Sequence, residues 1–438
     1  MHEIILGRSP SDAKKLGTKG AVFIGRQYIQ MGQSSSLSNP IYLDVARAHA
    51  MLIVGKRGGG KSYTMGSIAE GLADMDPNVS KNLSFLMLDT MGVYWSMKYG
   101  NKKEEDILKK WGLEGKGLDV VICVPGGFFQ KYQEDGIECD YPLYIKPSEL
   151  SLEDWRLTFK LSIDDPAYIL LAKHVGRLLR GGDDFDLEDI VKSLKSETEL
   201  SKEVVLSTVV RIEQAQTWGI FSKTARPIRE LLFRGKVTVL DFSAYVSLPG
   251  GWEVKALALG LIAKKIFVER MLVRKQEEVS QITAKTQIAG EKVYEDDLPM
   301  PWLIIDEAHE FLPESGETPA TNALMTILRE GRQPGVSLIL ATQQPAKIHT
   351  DAITQSDIVL AHRLTASFDL QSLDKIFLSY NSKGSKALFN QMPKTKGCAI
   401  IMDDKNERLY TMQVKPRFTW HGGEDPSAIE EVEDEFDF

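Results

Sequence analysis

From Ala50 onward, short apolar runs alternate with longer segments that carry helical periodicity. Strands that are apolar throughout belong in a parallel sheet covered on both faces, because every side chain then meets buried surroundings. The pattern therefore predicts an α/β core. The runs lie at 51–54, 85–88, 120–124, 237–240, 303–305 and 337–340, and each is followed within two residues by a polar residue or a glycine.

The charges of the chain are unevenly distributed. It holds 53 lysines and arginines against 61 aspartates and glutamates, and residues 424–438 carry eight acids and no base. The rest of the chain therefore carries 53 charges of each sign. This balance argues against a protein coated in positive charge, although a local basic channel inside an assembly stays possible. The acidic tail is expected to be disordered and solubilising, with a regulatory role as the alternative.

The cysteine content and the length of the apolar runs indicate the cellular compartment of the protein. Cys123, Cys139 and Cys398 are odd in number and far apart, which excludes a disulfide framework and favours a reducing compartment. No apolar run reaches eighteen residues, and the first nine residues lack the apolar stretch of a signal peptide. We expect a cytoplasmic protein that is not inserted in a membrane.

The chain, at 438 residues, is two to three times the length of a typical domain. Helical spacing between the third and fourth apolar runs predicts an insertion of three to five helices, and the polar stretch 279–297 is expected to be a mobile loop. The predicted division is a small N-terminal β module (1–45), a first part of the core (46–148), the helical insertion (149–234), a second part of the core (235–420) and the acidic tail (421–438).

A glycine-rich loop follows the first apolar run and precedes a plausible helix at 63–73. Its pattern, G-x-x-x-x-G-K-S, is that of a phosphate-binding loop, in which glycines let backbone N–H groups point at phosphate oxygens. Lys61 is expected to reach the β- and γ-phosphates of ATP, and Ser62 to ligate Mg²⁺. A glycine turn without ligand is the alternative. The expected nucleotide-binding residues are Gly55, Lys56, Arg57, Gly58, Gly59, Gly60, Lys61, Ser62 and Tyr63.

Two acids and an amide follow later strands, at the edge where ligands bind in open α/β sheets. Asp306 suits the water shell of Mg²⁺, and Glu307 suits a general base that polarises the attacking water, with helix capping as the alternative. Gln343 is the candidate sensor between water and γ-phosphate, or else a turn-forming amide. Asp89 either joins that water network or caps a turn. His309 is interpreted as a helix-start residue and not as a metal ligand.

Arg329 and Arg332 lie between the acid pair and the amide, three residues apart, and share a side if their helix persists. An arginine at a subunit edge can enter a neighbour's site and neutralise transition-state charge. Solvated surface is the alternative for either residue. We expect at least one of the two to act in trans.

With these motifs in view, the chain resembles the HerA/FtsK superfamily of P-loop ATPases, and archaeal HerA-like proteins most of all. The resemblance rests on the loop from Gly55 to Tyr63, the acid motif 306–313, and the segments 329–332 and 341–345. It implies a RecA-like sheet and a hexameric ring that pumps double-stranded DNA in repair, with a nuclease partner of the NurA type. It assigns Lys61, Glu307, Gln343 and an arginine finger at Arg329 or Arg332 as catalytic, with Ser62 and Asp306 at Mg²⁺.

The expected function is thus an ATP-hydrolysing ring motor that translocates or unwinds double-stranded DNA. Two alternatives remain at this point. One is a conjugation or secretion motor of the TrwB type, which moves DNA or protein at a membrane. The other is an ATP-switched scaffold that assembles a partner effector without moving DNA.

Overall fold

The structure is a computed structural model that describes residues 3–31, 34–286, 298–378, 388–389, 392–393 and 395–423. The acidic segment 424–438 lies outside the described residues, as does most of the stretch expected to be a mobile loop. The strands are β1 (Ile4–Leu6), β2 (Ala21–Met31), β3 (Ser34–Asp44), β4 (Ala50–Val54), β5 (Leu83–Asp89), β6 (Val121–Pro125), β7 (Tyr141–Leu143), β8 (Val237–Asp241), β9 (Met300–Ile305), β10 (Ser337–Thr342), β11 (Ile358–His362), β12 (Cys398–Asp403) and β13 (Arg408–Val414).

Helices connect most of these strands. They are α1 (Pro10–Leu16), α2 (Lys61–Ala73), α3 (Pro77–Ser80), α4 (Glu105–Trp111), α5 (Gly126–Glu134), α6 (Leu152–Thr158), α7 (Pro166–Gly181), α8 (Leu187–Lys195), α9 (Lys202–Gln216), α10 (Gly251–Thr286), α11 (Thr321–Glu330), α12 (Thr350–Thr354) and α13 (Ser367–Phe377).

All the strands join one sheet, in the order β1-β3-β2-β13-β12-β11-β4-β10-β9-β5-β8-β6-β7. The pairs from β11 to β7 are parallel, and the pairs from β11 through β12, β13 and β2 to β3 are antiparallel. Met51 and Ile53 of β4 face the core beneath α2, whereas Leu52 and Val54 face the core beneath α10 and α11. The predicted parallel core, buried on both faces, is therefore confirmed.

The N-terminal strands extend this sheet. β2 pairs with β13, and its apolar side chains join those of β3 in the core that packs on α2. The sequence suggested a small sheet or partial barrel for residues 1–45 without indicating α1, which begins after the capping hydroxyl of Ser9. These residues have no separate core because their apolar face is buried by the main sheet and α2.

Four helices, α6 to α9, lie between β7 and β8, within the predicted range of three to five. Trp155 of α6 is fully buried and stacks on Phe159 and Phe221 at centroid distances of 5.8 Å. The long helix α10 continues to Thr286, so the mobile loop expected from Val279 onward is wrong for its first eight residues. Arg274 pairs with Glu277 at 3.0 Å and with Glu278 at 3.3 Å in the turn before Val279, so the helix is supported at the point where the loop was expected to begin.

Candidate nucleotide-binding site

The glycine-rich loop joins β4 to α2 at the carboxyl edge of the sheet. Gly58 and Gly60 have φ angles of +68° and +104°, which residues with a Cβ rarely adopt. The N–H of Gly59 donates to the carbonyl of Lys56 at 2.9 Å, and a Cβ on Gly59 would lie 2.8 Å from that oxygen. The loop therefore depends on its glycines for its shape.

The first turn of α2 offers N–H groups without a side-chain cap. Its N-cap residue is Gly60, and no side chain accepts a hydrogen bond there. The first amides of a helix lack intrahelical partners and carry the positive end of the helix dipole, so they suit an anion. Lys61 is the first residue of the helix and is buried, with 7% of its surface exposed. The geometry matches a phosphate cradle.

Ser62 and Asp306 meet although 244 residues separate them. Asp306 follows β9, which lies two strands from β4, and its Oδ2 accepts a hydrogen bond from the Ser62 hydroxyl at 3.0 Å. Its Oδ1 accepts from the N–H of Glu307 at 2.8 Å. Burial raises the pKa of Asp306 above its usual value. The two oxygen groups expected at Mg²⁺ are therefore in direct contact.

Glu307 occupies an unusual position beside this pair. Its backbone is left-handed, with φ of +48°, and Gln343 donates through Nε2 to its Oε1 at 3.1 Å. Burial first, and then the charge of Asp306, raise the pKa of Glu307 to about 7. Its Oε2 is buried and accepts no hydrogen bond within the described part of the chain. The candidate base and the candidate sensor thus lie side by side.

Two histidines that sequence reasoning did not place at the site also line it. His309, in the 3₁₀ turn 308–310, is 7% exposed and contacts the hydroxyl of Thr342 through Nδ1 at 3.0 Å. His362 ends β11, and its Nε2 lies 2.9 Å from the hydroxyl of Thr64 in α2. Burial lowers the pKa of both imidazoles, that of His362 to about 4. A polar residue directly after the apolar run 358–361 was the available sequence signal for His362.

Asp89 caps a loop. Its carboxylate accepts from the four backbone N–H groups of residues 91–94 at 2.7 to 3.1 Å. Burial first, and then Asp241 on the neighbouring strand, raise the pKa of Asp89 to about 7. The loop presents the Tyr94 hydroxyl, which donates to the carbonyl of Ser62 at 3.4 Å. Of the two interpretations left open for Asp89, the structure supports the cap.

Arg329 and Arg332 lie at the opposite, amino edge of the strands. The helix α11 ends at Glu330, so the helix does not persist to place both residues on one side. Arg329 donates from Nε and Nη2 to Asp351 at 2.8 and 2.6 Å, and Arg332 donates from Nη2 to Asp357 at 3.2 Å. Neither arginine contacts the loop of its own chain.

The C-terminal strap, which we define as Lys415–Gly422, crosses α2. Glu70 of α2 is fully buried and accepts from Lys415 Nζ at 3.2 Å and from Arg417 Nε at 3.0 Å. The backbone N–H of Arg417 also donates to the Tyr63 hydroxyl at 2.8 Å. The strap therefore holds the outer face of the helix that follows the glycine-rich loop. The sequence contained no local signal for this contact.

Solved structures share this fold. VirB4 of Thermoanaerobacter pseudethanolicus superimposes with a TM-score of 0.56 at 11% identity, covering 91% of this chain and 97% of that one. The bacterial conjugative coupling protein TrwB, in a crystal form with sulfate, gives 0.51 at 11% identity over 86% and 87% of the two chains. At this identity the likeness shows the fold alone, and it confirms the predicted RecA-like P-loop architecture. Within the described residues, no helix combines the length and apolar character needed to cross a membrane.

Two curated relatives of this chain are named as the helicase HerA. A probable DNA double-strand break repair helicase HerA from Methanocaldococcus jannaschii is 23% identical over 359 residues, covering 76% of this chain. The DNA double-strand break repair helicase HerA from Pyrococcus furiosus is 34% identical over 214 residues, covering 45% of it. The matches span 66% and 37% of those two relatives.

A protein-family model also matches this chain, over a longer range than the match to the second relative. The model is described as the central domain of helicase HerA, and residues 23–249 match it, from β2 to the turn before α10. This range contains the glycine-rich loop, Asp89 and the helical insertion, and it is just over half of the chain. The resemblance inferred from the motifs is confirmed, and the protein belongs to the HerA family of P-loop ATPases.

Proposed function

We propose that this protein hydrolyses ATP with Mg²⁺ and uses the energy to move double-stranded DNA. The observation that carries the proposal is the 3.0 Å hydrogen bond between Ser62 of the glycine-rich loop and Asp306 of the acid pair. These groups serve one purpose in P-loop ATPases, where the loop holds phosphates and the strand acid holds the metal. Their contact supports a single triphosphate site at this edge of the sheet.

The residues present fit a magnesium ion that arrives with the nucleotide. The described residues contain no cluster of three or more metal-ligating side chains. Magnesium in nucleotide sites uses one or two protein oxygens and completes its shell with phosphates and water, and Ser62 and Asp306 are two such oxygens. When bound, the ion neutralises charge that develops on the phosphate oxygens. Lys61 and the first amides of α2 hold the β- and γ-phosphates.

Glu307 and Gln343 act on the attacking water. Oε2 of Glu307, which accepts no hydrogen bond from the described residues, can accept a proton from water, and a raised pKa makes the carboxylate a stronger base. Gln343 shares the other carboxylate oxygen and can donate to water or to the γ-phosphate. Hydrolysis thereby changes the contacts of β10, whose end carries Gln343.

The finer parts of the proposal concern assembly and substrate. The arginines at the amino edge reach a phosphate only in a neighbouring copy, which supports a ring, with a hexamer as the expected form. The curated relatives are named as DNA double-strand break repair helicases, which supports duplex DNA as substrate and repair as context. We place the motor in the cytoplasm, and the resemblance adds a nuclease partner of the NurA type.

Three measurements on the full chain test this function. Steady-state ATP hydrolysis with Mg²⁺ should rise when duplex DNA is added, and the mass in solution with an ATP analogue should correspond to a closed ring. Displacement of a triplex-forming strand should require ATP. Assembly on ATP without displacement would instead indicate a scaffold, and co-sedimentation with membranes would favour a conjugation-type motor. Absence of hydrolysis in every oligomeric form, with and without DNA, would refute the proposal.

A further inference from the structure

His309 lies between the acid pair and the end of β10, and the proposed reaction assigns it no role. The left-handed backbone of Glu307 turns the chain sharply after the acid pair. The following 3₁₀ turn, 308–310, therefore folds back against the sheet and buries the imidazole. This placement puts one ring nitrogen near the Glu307 carboxylate and the other near Gln344, which follows the candidate sensor Gln343 in the chain.

The imidazole makes contacts on two sides. On one side, Nδ1 lies 3.0 Å from the Thr342 hydroxyl and 3.5 Å from Oε2 of Glu307, the oxygen that accepts no hydrogen bond in the described part of the chain. On the other side, Nε2 lies 3.3 Å from Nε2 of Gln344 and 3.4 Å from a carboxylate oxygen of Glu310. A single buried ring therefore touches the candidate base and the segment that carries the sensor.

Thr342 extends this set of contacts to the glycine-rich loop. Its carbonyl accepts from the N–H of Gly55 at 3.3 Å, and its hydroxyl accepts from the N–H of Gln344 at 3.0 Å. Thr342 is fully buried, so these bonds have no competing water. The chain of contacts thus runs from Glu307 through His309 and Thr342 to the first glycine of the loop.

We propose that His309 is a positioning residue, which holds the Glu307 carboxylate in register with the end of β10 and with the glycine-rich loop during hydrolysis. The inference rests on the proposed ATPase activity. A neutral imidazole can donate from one nitrogen and accept at the other, so it fits between a hydroxyl and an amide. Loss of this ring leaves Glu307, among the described residues, with the hydrogen bond from Gln343 to orient it, and small misplacements of a reacting group have large effects on rate.

The test compares His309→Ala, His309→Asn and Thr342→Val with wild type, measuring turnover, ATP affinity and thermal stability separately. We expect His309→Ala to lower kcat about 30-fold while leaving the affinity for ATP within about threefold. Asparagine places a polar group near the position of Nδ1, so His309→Asn should recover kcat to within about threefold of wild type. His349→Ala is the matched control, because the His349 ring caps α12 by accepting from the N–H of Asp351, a contact that the proposed reaction does not use; kcat of this variant should not change.

Thr342→Val removes the hydroxyl with little change in volume and keeps the proposal testable if His309→Ala is poorly folded. It should reproduce the loss in kcat, and combining it with His309→Ala should add little, because both remove one contact. If His309→Ala turns over within twofold of wild type while Glu307→Gln is inactive, the inference about His309 is refuted and the proposed ATPase activity is not. The inference would also be overturned if His309→Ala lost ATP binding and stability in parallel and His309→Asn restored neither. Equal activity of wild type and Glu307→Gln would refute the proposed base, and this inference with it.

Discussion

Lys61 and Lys56 show how much position within one loop decides the role of a lysine. Lys61 is buried at the start of α2, whereas Lys56 is exposed on the outer side of the same loop. We expect Lys61→Ala to weaken binding of an ATP analogue at least about 100-fold, because it removes the only buried cation of the loop from the phosphates. The same change at Lys56 should alter affinity less than about threefold. Titration calorimetry measures both, and equal effects would contradict the assignment.

A substitution at Glu307 should affect ATP hydrolysis without affecting ATP binding. Glu307→Gln keeps the size of the side chain and the contact with Gln343 but removes the acceptor for a proton. We expect turnover to fall at least about 100-fold while ATP affinity stays within about threefold, because the phosphates are held by other groups. Single-turnover hydrolysis and analogue binding provide the two readouts. Hydrolysis at the wild-type rate would show that another group is the base.

His49 gives the fold a dependence on pH. Burial disfavours its charged form, but hydrogen bonds and charges from Asp357 at 2.7 Å and Asp44 at 3.7 Å outweigh burial and raise its pKa to about 9, from 6.5. Arg8 and Arg332 bind the same two carboxylates from the other elements packed there. A histidine whose pKa is raised by folding contributes stability that is complete below about pH 6.5 and is lost as the pH rises through about 9.

The measurement is the free energy of unfolding in urea for wild type and His49→Gln, between pH 6 and pH 9.5. We expect wild type to be the more stable at pH 6, and the difference to narrow by roughly 3 kcal/mol at pH 9.5. Comparing the two proteins removes the contribution of other groups that titrate in this range. A difference that stays constant with pH would show that folding does not raise the pKa of His49.

At the scale of elements, the strap and α2 are joined by one buried carboxylate. Glu70 accepts from Lys415 and Arg417, and also from the backbone N–H groups of residues 418 and 419 at 3.1 Å each. A Cβ on Gly66 would lie 2.6 Å from the Arg417 guanidinium, so the arginine also needs glycine on the adjacent turn. The two elements therefore fit together through charge and through close approach.

Removing the charge of Glu70 should be costly. Glu70→Gln leaves two buried cations without their carboxylate, and breaking a buried ion pair in this way typically destabilises a protein by about 3 to 5 kcal/mol. Asp74→Asn is the control, because Asp74 directly follows α2 and pairs with Lys116 at 2.6 Å on an exposed surface. Its effect should stay within about 1 kcal/mol. Chemical denaturation measures both, and similar effects would show that burial of the Glu70 pair is unimportant.

At the scale of the whole molecule, the two edges of the sheet carry different parts of the proposed reaction. β4 has five residues, so its ends lie about 16 Å apart. The loop and the acid pair lie at one end, and Arg332 lies at the other, where its side chain is 76% exposed and makes one hydrogen bond to Asp357. Arg329 is 57% exposed and uses two nitrogens on Asp351. Arg332 is therefore the freer of the two to enter a neighbouring site.

A complementation experiment tests this arrangement. Arg332→Ala and Glu307→Gln should each be inactive alone, since arginine fingers contribute about 10³-fold or more. In an equal mixture, random assembly puts an intact Arg332 opposite an intact Glu307 at about a quarter of the interfaces, so hydrolysis should return. The comparison is an equal mixture of Arg329→Ala and Glu307→Gln. We expect mixing these two variants to produce no recovery of ATP hydrolysis. A mixture of the first two variants that stays inactive would exclude a trans role for Arg332.

Much of the candidate site could be predicted because its signals are local in the chain. The glycines, lysine and serine of the loop stand together, and Asp306 and Glu307 directly follow an apolar run. In a parallel sheet the carboxyl ends of all strands share one edge, so the meeting of Ser62 and Asp306 followed from the strand pattern. The site residues missed are His309, which lies beyond the end of β9, and His362, the last residue of β11, and both become significant only through contacts with distant residues.

The sequence by itself determined the α/β core, the glycine-rich loop and the acid pair, because each depends on residues adjacent in the chain, and the core strands are runs that are apolar nearly throughout. Only the tertiary structure decided that β2 and β3 extend the sheet, that α10 continues to Thr286, that Glu70 binds the strap and that Arg332 lies at the far edge. The sheet extension and the Glu70 contact depend on pairing and burial between distant segments, since β2 pairs with β13 and Glu70 is 347 residues from Arg417, and no local pattern specifies such partners.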